Sequence, residues 1–449
     1  MKGGNDLKTT GPKLWMKLRG PAVCLITTLS LLLPLAIPSV AAATSLTGNS
    51  NTYILSREDA NDTNLLPFYE YLDFAVHDLG SESLSAHFGG WLGFDMVNHS
   101  SFVNGEKTGK DLQYGYLSFS AKENNAVVNL GRVMVFEGVA NERVDGLYAR
   151  TDIKGGFGIS AFGGIPVETG GGDTPGNNTI YGARVSHQYQ GLYSIGLSFL
   201  KEDKNSNTFR KEEGIDLWLK PMNKVELMGR SSYNAETKGW MENAYYLILG
   251  PFASFRFNTE FSTINYEDYF AGTTSNVFKF QPTGPIDPKE KVKILGEEAF
   301  WSINNNWAAS ADYKNYDYTI AGSASYYGAK LTYNKPKEYS AGAAIHRMDG
   351  DVDRLKYDEY RVYASMRMME KLDVTVDLFD VKYKQAINGV TNAYSAALAA
   401  GYELMEKLKV GVDVEYSKNP DFNKDVRLLA KLNYGFDVGS GASTPKEGK

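Results

Sequence analysis

Apolar and polar residues alternate with a period of two along most of this chain. In the segment 407–416, every second residue is Leu, Val or Tyr, whereas the intervening positions include Lys409, Asp413 and Glu415. Alternation of this kind predicts a β-strand with one apolar and one polar face. Helical periodicity is almost absent. The same alternation recurs in the segments 84–96, 181–189, 255–261, 394–404 and 426–436.

Two segments depart from this simple alternation. Within Leu372–Tyr383 the parity of the apolar residues changes between Leu378 and Phe379, which predicts a β-bulge. The segment 126–136 mixes apolar and polar residues on both faces.

The polar segments between the predicted strands fall into two length classes. Because the classes alternate along the chain, they predict an up-and-down sheet with short periplasmic turns and long extracellular loops. Counting strands from Thr52 to Phe436 gives about 22, within a range of 18 to 22. The short segments lie near 123–125, 154–156, 190–191, 221–223, 250–251, 304–306, 370–371 and 406–407, and the longer ones near 98–110, 168–178, 202–212, 267–292, 349–357, 384–391 and 418–424.

These patterns predict an all-β fold, a transmembrane antiparallel β-barrel with apolar residues facing lipid and polar residues facing the lumen. A secreted β-sandwich or β-helix is the competing fold. The segment 267–292, which contains three prolines, is the best candidate for a loop that folds over or into the mouth. An unstructured external loop is equally compatible with it.

The first 43 residues are typical of a signal peptide. A basic segment precedes an apolar stretch at 22–37, and Ala41-x-Ala43 is a good leader-peptidase site, so we predict cleavage after residue 43. A transmembrane anchor is the alternative, but Pro34 and Pro38 favour cleavage. The predicted domains are therefore a signal peptide at 1–43, a barrel at 44–436 and a polar periplasmic tail at 437–449.

Removal of the signal peptide changes the cysteine content and the net charge of the chain. The sole cysteine, Cys24, lies within it, so the mature chain excludes disulfides, thiol catalysis and covalent attachment of c-type haem. The net charge of −6 becomes about −10, because the signal peptide carries five basic residues and one acidic residue. An acidic chain of this kind is not a general nucleic-acid binder. The mature chain contains no apolar run of ~20 residues, which excludes a helical membrane span.

The sequence lacks the signatures of an enzyme or of a bound cofactor. It contains no His-Glu-x-x-His, Gly-x-Ser-x-Gly or phosphate-binding Walker motif, and its five histidines are scattered. The segment Asp349–Asp353 resembles the start of a calcium loop, but Tyr360 stands where the twelfth-position glutamate belongs. A solvated loop is the favoured interpretation of this segment. For the whole chain we predict no catalytic activity, no bound cofactor and no metal site.

Charged residues on the predicted polar faces are candidates for lining an aqueous pore. Some carry opposite signs on neighbouring strands, which is compatible both with a structural ladder of ion pairs and with a filter for solutes. The candidate pore-lining residues are Arg132, Glu137, Glu142, Arg143, Asp145, Arg150, Asp152, Arg184, Arg256, Glu260, Arg367, Asp377, Asp413, Glu415, Arg427 and Lys431.

The segment 131–168 combines dense charges of both signs with glycine-rich strand sequence. We predict that it folds inward as a constriction, with its carboxylates and guanidinium groups paired across the lumen. A plain extracellular hairpin is the alternative.

The chain also resembles a known group of proteins. The Gly131-Arg132 and Phe136-Glu137-Gly138 motifs, the run Val144–Arg150, the run Phe162–Glu168 and the early Phe68–Leu72 are similar to porin-like outer-membrane β-barrels of metal-reducing delta-proteobacteria. The resemblance covers most of the mature chain through structural motifs. It implies that some members act as the sheath of multihaem c-type cytochromes. It transfers no haem ligand or catalytic residue.

The expected function is therefore a porin-like channel for small hydrophilic solutes or ions in the outer membrane of a Gram-negative bacterium. The alternative is the barrel sheath of a porin–cytochrome complex for electron transfer, with multihaem cytochromes as partners. Other expected partners are outer-membrane lipid, lipopolysaccharide and the assembly machinery. Tyr434 and Phe436 in the last strand are the expected assembly signal, although a tail follows them.

Overall fold

The computed structural model describes residues 45–58, 63–97, 108–121, 123, 125–167, 177–271, 287, 289–421 and 424–439. The predicted signal peptide and nearly all of the predicted tail lie outside the described residues. Most residues of the predicted loops near 98–110, 168–178 and 267–292 also lie outside the described residues.

One sheet of antiparallel strands accounts for nearly all of the described residues. The strands are β1 (Ser45–Glu58), β2 (Pro67–His77), β3 (Leu84–Asp95), β4 (Thr108–Ser120), β5 (Ala126–Glu137), β6 (Ala140–Ile153), β7 (Phe157–Pro166), β8 (Thr179–Tyr189), β9 (Tyr193–Lys204), β10 (Asn207–Met222), β11 (Val225–Asn234), β12 (Gly239–Phe252), β13 (Phe255–Asn265), β14 (Lys291–Ser302), β15 (Trp307–Tyr318), β16 (Gly322–Lys335), β17 (Tyr339–Gly350), β18 (Lys356–Met368), β19 (Leu372–Ile387), β20 (Val390–Met405), β21 (Leu408–Lys418) and β22 (Asp425–Val438). A short helix, α1 (Tyr266–Phe270), follows β13, and Asn64–Leu65 forms a two-residue strand against the end of β1.

The sheet closes on itself. Each long strand pairs with the next one in the chain, and β1 pairs with β22 from Leu46 opposite Val438 to Ser56 opposite Leu428. Closure around the ring leaves no free edge strand, although the pairing of β4 with β5 is confined to the segments Gly115–Ser120 and Val127–Arg132. The predicted antiparallel β-barrel of about 22 strands is confirmed.

The barrel has an apolar outer face. Leu130, Leu197 and Val426 point outward and are 59%, 61% and 59% exposed, whereas the intervening residues face the lumen. Such an exposed apolar band is typical of a surface that contacts lipid acyl chains. Within the described residues, no helix has the length and apolar character needed to cross a membrane.

The two ends of the barrel differ. We call the end that carries the connections near 59–66, 96–107 and 271–290 the loop end, and the opposite end the turn end. Two predicted long loops are wrong, because tight turns replace them at Asn205–Ser206 and Asn388–Gly389. Backbone pairing does not require apolar side chains, so these hairpins continue through polar sequence. The predicted short turn at 250–251 lies inside β12, and the turn follows Phe252.

The predicted β-bulge within β19 is also wrong. The pairing of β19 with β18 continues without a shift through Leu378 opposite Val362 and Phe379 opposite Arg361. Phe379 instead faces the lumen, where it packs against a small buried cluster of Val381, Val390 and Ala393. The change of apolar parity therefore marks a buried apolar patch on the inner wall. Burial of apolar side chains is favourable there as well, because it removes apolar surface from water.

The seam between β1 and β22 contains a tightly packed pair. Gly48 lies opposite Phe436, and the Phe436 ring occupies the space that a side chain at position 48 would need. Phe436 is only 7% exposed and lies beside Tyr434, at 6.2 Å between ring centroids. The two residues expected to form the assembly signal therefore lie at the closing seam of the barrel.

We expect Gly48→Val to weaken barrel closure, because the new side chain would overlap both the Phe436 ring and the Asp73 carbonyl oxygen on β2. Overpacking of this kind costs about 1–3 kcal/mol. The free energy of unfolding in urea, followed by the electrophoretic mobility of unheated samples, measures the loss. Gly435→Ala is the control, since a Cβ there meets only Asn49 Oδ1 at an ordinary 3.5 Å. Equal stability of the two variants would contradict the assigned packing.

Candidate pore constriction

A row of glycines marks the level at which β5 and β6 leave the barrel wall. Gly131 lies opposite Gly146, and Gly146 lies opposite Gly164 on β7. The pairing of β4 with β5 ends at the loop-end side of this row, at Gly115 opposite Arg132. Gly131 has a φ of 131°, which side chains disfavour. The absence of side chains lets the β5–β6 hairpin bend sharply at this level.

The tip of the β5–β6 hairpin folds inward onto distant strands. The Val139 backbone N–H donates a hydrogen bond to Ser198 Oγ on β9, at 3.1 Å. Glu142 forms an ion pair of 2.5 Å with Arg210 on β10. Because β7 and β8 lie between the hairpin and β9 in the wall, these contacts require the tip to lie over the inner surface of the barrel. We call the residues 132–145 the inward hairpin.

An apolar core holds the inward hairpin against the wall. Each of its residues is at most 6% exposed. Val133, Val135, Ala140 and Val144 come from the hairpin, and Phe162, Ile180 and Leu200 come from the inner faces of β7, β8 and β9. This core explains the mixed faces of the segment 126–136, because one of its faces packs inside the lumen. Burial of such side chains stabilises the hairpin by about 1.5–3 kcal/mol each.

Charged groups surround the far side of this core. Arg210 is 12% exposed and contacts three carboxylates, those of Glu142 at 2.5 Å, Glu202 at 2.9 Å and Glu212 at 3.4 Å. Lys204 lies 3.7 Å from Glu202. Buried carboxylates are tolerated only when cations and hydrogen bonds compensate them. Arg210 therefore joins the hairpin to β9 and β10 electrostatically.

A second polar group lies below the hairpin tip. Tyr148 donates a hydrogen bond to Glu137 at 2.6 Å, and the guanidinium groups of Arg150 and Arg184 both lie 3.7 Å from the same carboxylate. Arg184 also forms a two-point contact with Asp216, at 3.0 and 2.6 Å. This two-point geometry fixes both side chains strongly.

The other face of the inward hairpin is tied to β4. Arg132 forms a two-point contact with Asp145, at 2.6 and 2.7 Å, and donates to the Leu112 carbonyl at 3.0 Å. Arg143 forms a 2.5 Å ion pair with Asp111. By register, Arg132, Arg143 and Asp145 lie on the opposite face from Glu137 and Glu142. They bridge the gap that the hairpin leaves beside β4.

A cavity of about 760 Å³ lies between the inward hairpin, β9–β12 and α1. Its lining includes Glu142, Arg210, Glu242 and Tyr269. Burial raises the pKa of the Tyr269 hydroxyl, and the nearby Glu242 raises it further, so this group stays a neutral donor at neutral pH. α1 belongs to the predicted mouth loop 267–292, and its described part packs mainly against β12.

The remaining candidate residues lie on the inner face of the other strands, where they are more exposed. Lys431 pairs with Asp413 across strands at 2.6 Å, as the charge pattern indicated. Arg361 pairs with Asp377 at 2.5 Å. Arg427 contacts Asp425 at 2.5 Å rather than Glu415, which accepts a hydrogen bond from Ser395.

Four further candidates have local partners. Arg367 lies 3.6 Å from Glu403 and 4.0 Å from Asp373. Glu260 pairs with Lys314 at 2.6 Å. Arg256 lies 4.5 Å from the centroid of the Phe300 ring, and Asp152 lies 3.5 Å from Arg150.

The structure thus brings together the candidates of segment 131–168 with Arg184, whereas the other candidate residues are spread around the inner wall of the barrel.

The described residues contain no group of three or more His, Cys, Asp or Glu side chains arranged to hold a metal ion. In the segment that resembles a calcium loop, Asp351 accepts a hydrogen bond from the Ser323 N–H at 2.6 Å. His346 contacts Asp312 at 3.0 Å and stacks on Tyr326.

Sequence reasoning missed Arg210, Glu202 and Glu212. They lie in the segment 202–212, which its polarity assigned to an external loop. The available signal was the recurrence of carboxylates around one arginine in a short segment, together with Ile180 and Leu200 at polar-face positions. Apolar residues in that phase indicate that something covers the inner wall.

Comparison with solved structures supports the barrel fold. The siderophore receptor PirA from Acinetobacter baumannii aligns over 89% of this chain and 81% of its own, with 11% identity and a TM-score of 0.55. PirA from Pseudomonas aeruginosa aligns over 87% and 80%, with 12% identity and a TM-score of 0.54. No protein-family model and no curated protein sequence matches the chain.

We expect Arg210→Met to release the inward hairpin. The substitution leaves Glu142, Glu202 and Glu212 buried without their shared cation, and breaking a buried pair costs about 3–5 kcal/mol. The reporter is the rate at which a charged maleimide labels a Val139→Cys background. A loss of only about 1.4 kcal/mol in hairpin docking would raise that rate about tenfold.

Arg230→Met serves as the matched control for this experiment, because Arg230 is 58% exposed and forms an ion pair with Glu242, which does not belong to the hairpin. Adding Glu142→Gln to Arg210→Met should return part of the protection. Unchanged labelling in Arg210→Met would show that the arginine does not hold the tip.

Proposed function

We propose that this protein is an outer-membrane channel through which small hydrophilic solutes or ions cross, and that the inward hairpin narrows its lumen. The observation that carries the proposal is the bonding of the hairpin tip to β9 and β10, by Val139 to Ser198 and by Glu142 to Arg210. A wall segment bent into the lumen reduces the cross-section at that level.

The inner wall away from the hairpin supports passage of polar solutes. Arg361 and Arg367 on β18 are 50% and 43% exposed, and the Lys431–Asp413 pair on β21 and β22 is about one-third exposed. Solvated charges of both signs offer hydrogen bonds to polar solutes and do not impose a field of one sign. This arrangement supports a water-filled path beside β17–β22, with weak discrimination by charge.

The location is inferred from the outer surface. Its exposed apolar residues need lipid, and a closed ladder is the only β-structure whose backbone is satisfied inside a bilayer. Both properties suit an outer membrane, where barrels of this kind occur.

We expect Gly131→Val to raise single-channel conductance in planar bilayers above that of the wild type. The added side chain would overlap the backbone of Gly115 and Tyr116 and cannot adopt the observed φ comfortably, so the hairpin would lose its bent position. Gly155→Ala is the control, because Gly155 also has a positive φ of 90° but has open space at its Cβ position.

Conductance equal to the wild type in folded Gly131→Val protein would contradict the constriction. Absence of any defined conductance step in the wild type would overturn the channel itself.

A second candidate function is the sheath of an electron conduit. The observation that favours it is the number of strands, because a closed barrel of 22 strands is wide enough to enclose a partner polypeptide, and the described apolar packing of the inward hairpin is against β7, β8 and β9. The barrel would then insulate the haems of a cytochrome made by another gene.

An absorption spectrum of the protein purified from its native membrane in mild detergent separates the two candidates. A haem Soret band that co-elutes with the barrel in fixed ratio is expected for the conduit. Haem-free barrel with defined conductance steps is expected for the channel and would exclude the conduit.

A further inference from the structure

Aromatic side chains run along the inner face of β1–β4. Register places all of them on the lumen side, in phase with Asn51 and Lys431. We call this set the aromatic track; its members are Tyr53, Tyr69, Tyr71, Trp91, Tyr114 and Tyr116.

The rings of the track lie close enough to form nearly continuous surfaces. Centroids are separated by 5.7 Å between Tyr53 and Tyr71, 5.9 Å between Tyr69 and Trp91, and 6.3 Å between Tyr71 and Trp91. Further down the wall, Tyr114 and Tyr116 are 6.0 Å apart. These rings are partly buried, so part of each ring remains exposed on the inner wall.

The track extends over much of the height of the barrel. Tyr69 lies near the loop end of β2, whereas Tyr116 lies near the turn end of β4. Between them the Tyr114 ring lies against Gly89, where any side chain would clash with it. His87 stacks on Tyr116 at 4.9 Å, which extends the aromatic surface sideways.

Amide side chains lie beside the track, Asn51 at the level of Tyr71 and Asn49 at the level of Tyr114. Asn433 donates a hydrogen bond to Asn51 at 2.6 Å, and Asn49 donates to Asp73 at 3.1 Å. A hollow of about 490 Å³ is lined by Tyr53, Tyr69 and Tyr71 together with Asn51, Asp73 and Gln113. Asp73 is the sole charged residue of that lining. Uncharged donors and acceptors beside open ring faces favour a neutral ligand rich in hydroxyl groups.

We propose that the aromatic track binds neutral oligosaccharides as they pass through the lumen. This inference rests on the proposed channel function and specifies its substrate class. The apolar C–H faces of a sugar ring pack on tyrosine and tryptophan faces, whereas its hydroxyl groups exchange hydrogen bonds with amides and phenols. Successive rings along the wall allow a chain of sugars to move from one contact to the next.

The track also passes directly beside the constriction. Trp91 lies opposite Asp111 on β4, and Asp111 is the carboxylate that Arg143 of the inward hairpin contacts. The inward hairpin is therefore attached to β4 at the level of Trp91, beside the track.

The test measures ion current through wild-type channels in planar bilayers while maltohexaose is added, with fluorescence titration of the detergent-solubilised protein as a second readout. Transient, concentration-dependent blockades are expected from the wild type. Trp91→Ala and Tyr71→Ala should weaken the apparent affinity by about tenfold, which corresponds to about 1.4 kcal/mol. Fluorescence titration is made on the wild type and on Tyr71→Ala, which keep Trp91.

Tyr363→Ala is the matched control, because Tyr363 is a lumen-facing tyrosine outside the track, beside Arg361. Equal loss of affinity in this variant and in Tyr71→Ala would overturn the assignment to the track. Defined conductance steps without blockade or fluorescence change would overturn the oligosaccharide site and leave the channel standing. Binding of maltohexaose detected by fluorescence, without any conductance, would overturn the channel instead.

Blockade of the current by tetramethylammonium but not by maltohexaose would show that the rings bind cations, and would contradict the proposal.

Discussion

Closure of the backbone ladder between β1 and β22 is the constraint on which the rest of the structure depends. In lipid, an unpaired backbone amide or carbonyl group costs several kcal/mol, so a sheet of this size must have no edge. The register from Leu46 opposite Val438 to Ser56 opposite Leu428 provides that closure. Phe436 packed over Gly48 holds the seam where the first and last strands meet.

Once the barrel is closed, every second side chain points into the lumen. On the side of β7–β10, part of the lumen is filled by the inward hairpin, which is a segment of the barrel wall itself. The glycine row at Gly131, Gly146 and Gly164 permits the bend, the apolar core supplies most of the stabilisation, and Arg210 compensates the carboxylates that the bend buries. The hairpin therefore depends on all three features together.

The lumen that results has unequal sides. The wall at β7–β10 is covered by the hairpin, the wall at β17–β22 carries solvated ion pairs, and the wall at β1–β4 carries aromatic rings. Exposed ion pairs contribute little to stability, so the charges on β17–β22 add little to the stability of the barrel. The aromatic rings are large, amphipathic side chains with substantial contact area.

The sequence by itself determined the all-β class, because the period-two alternation of segments such as 407–416 gives strands with one apolar face, and the recurrence of that pattern over the chain favoured a barrel over a sandwich or a β-helix. It also indicated about 22 strands and directed attention to segment 131–168. It did not decide where that segment goes, since Val133 and Val135 read equally well as outward-facing residues until the bend at Gly131 places them against Ile180 and Leu200. Nor did it place Arg210 with Glu142, because contacts between residues far apart in the chain depend on the tertiary path of the hairpin. The tight turn at Asn205–Ser206 escaped prediction for a related reason, since backbone pairing extends strands through polar sequence whenever a neighbouring strand is in register.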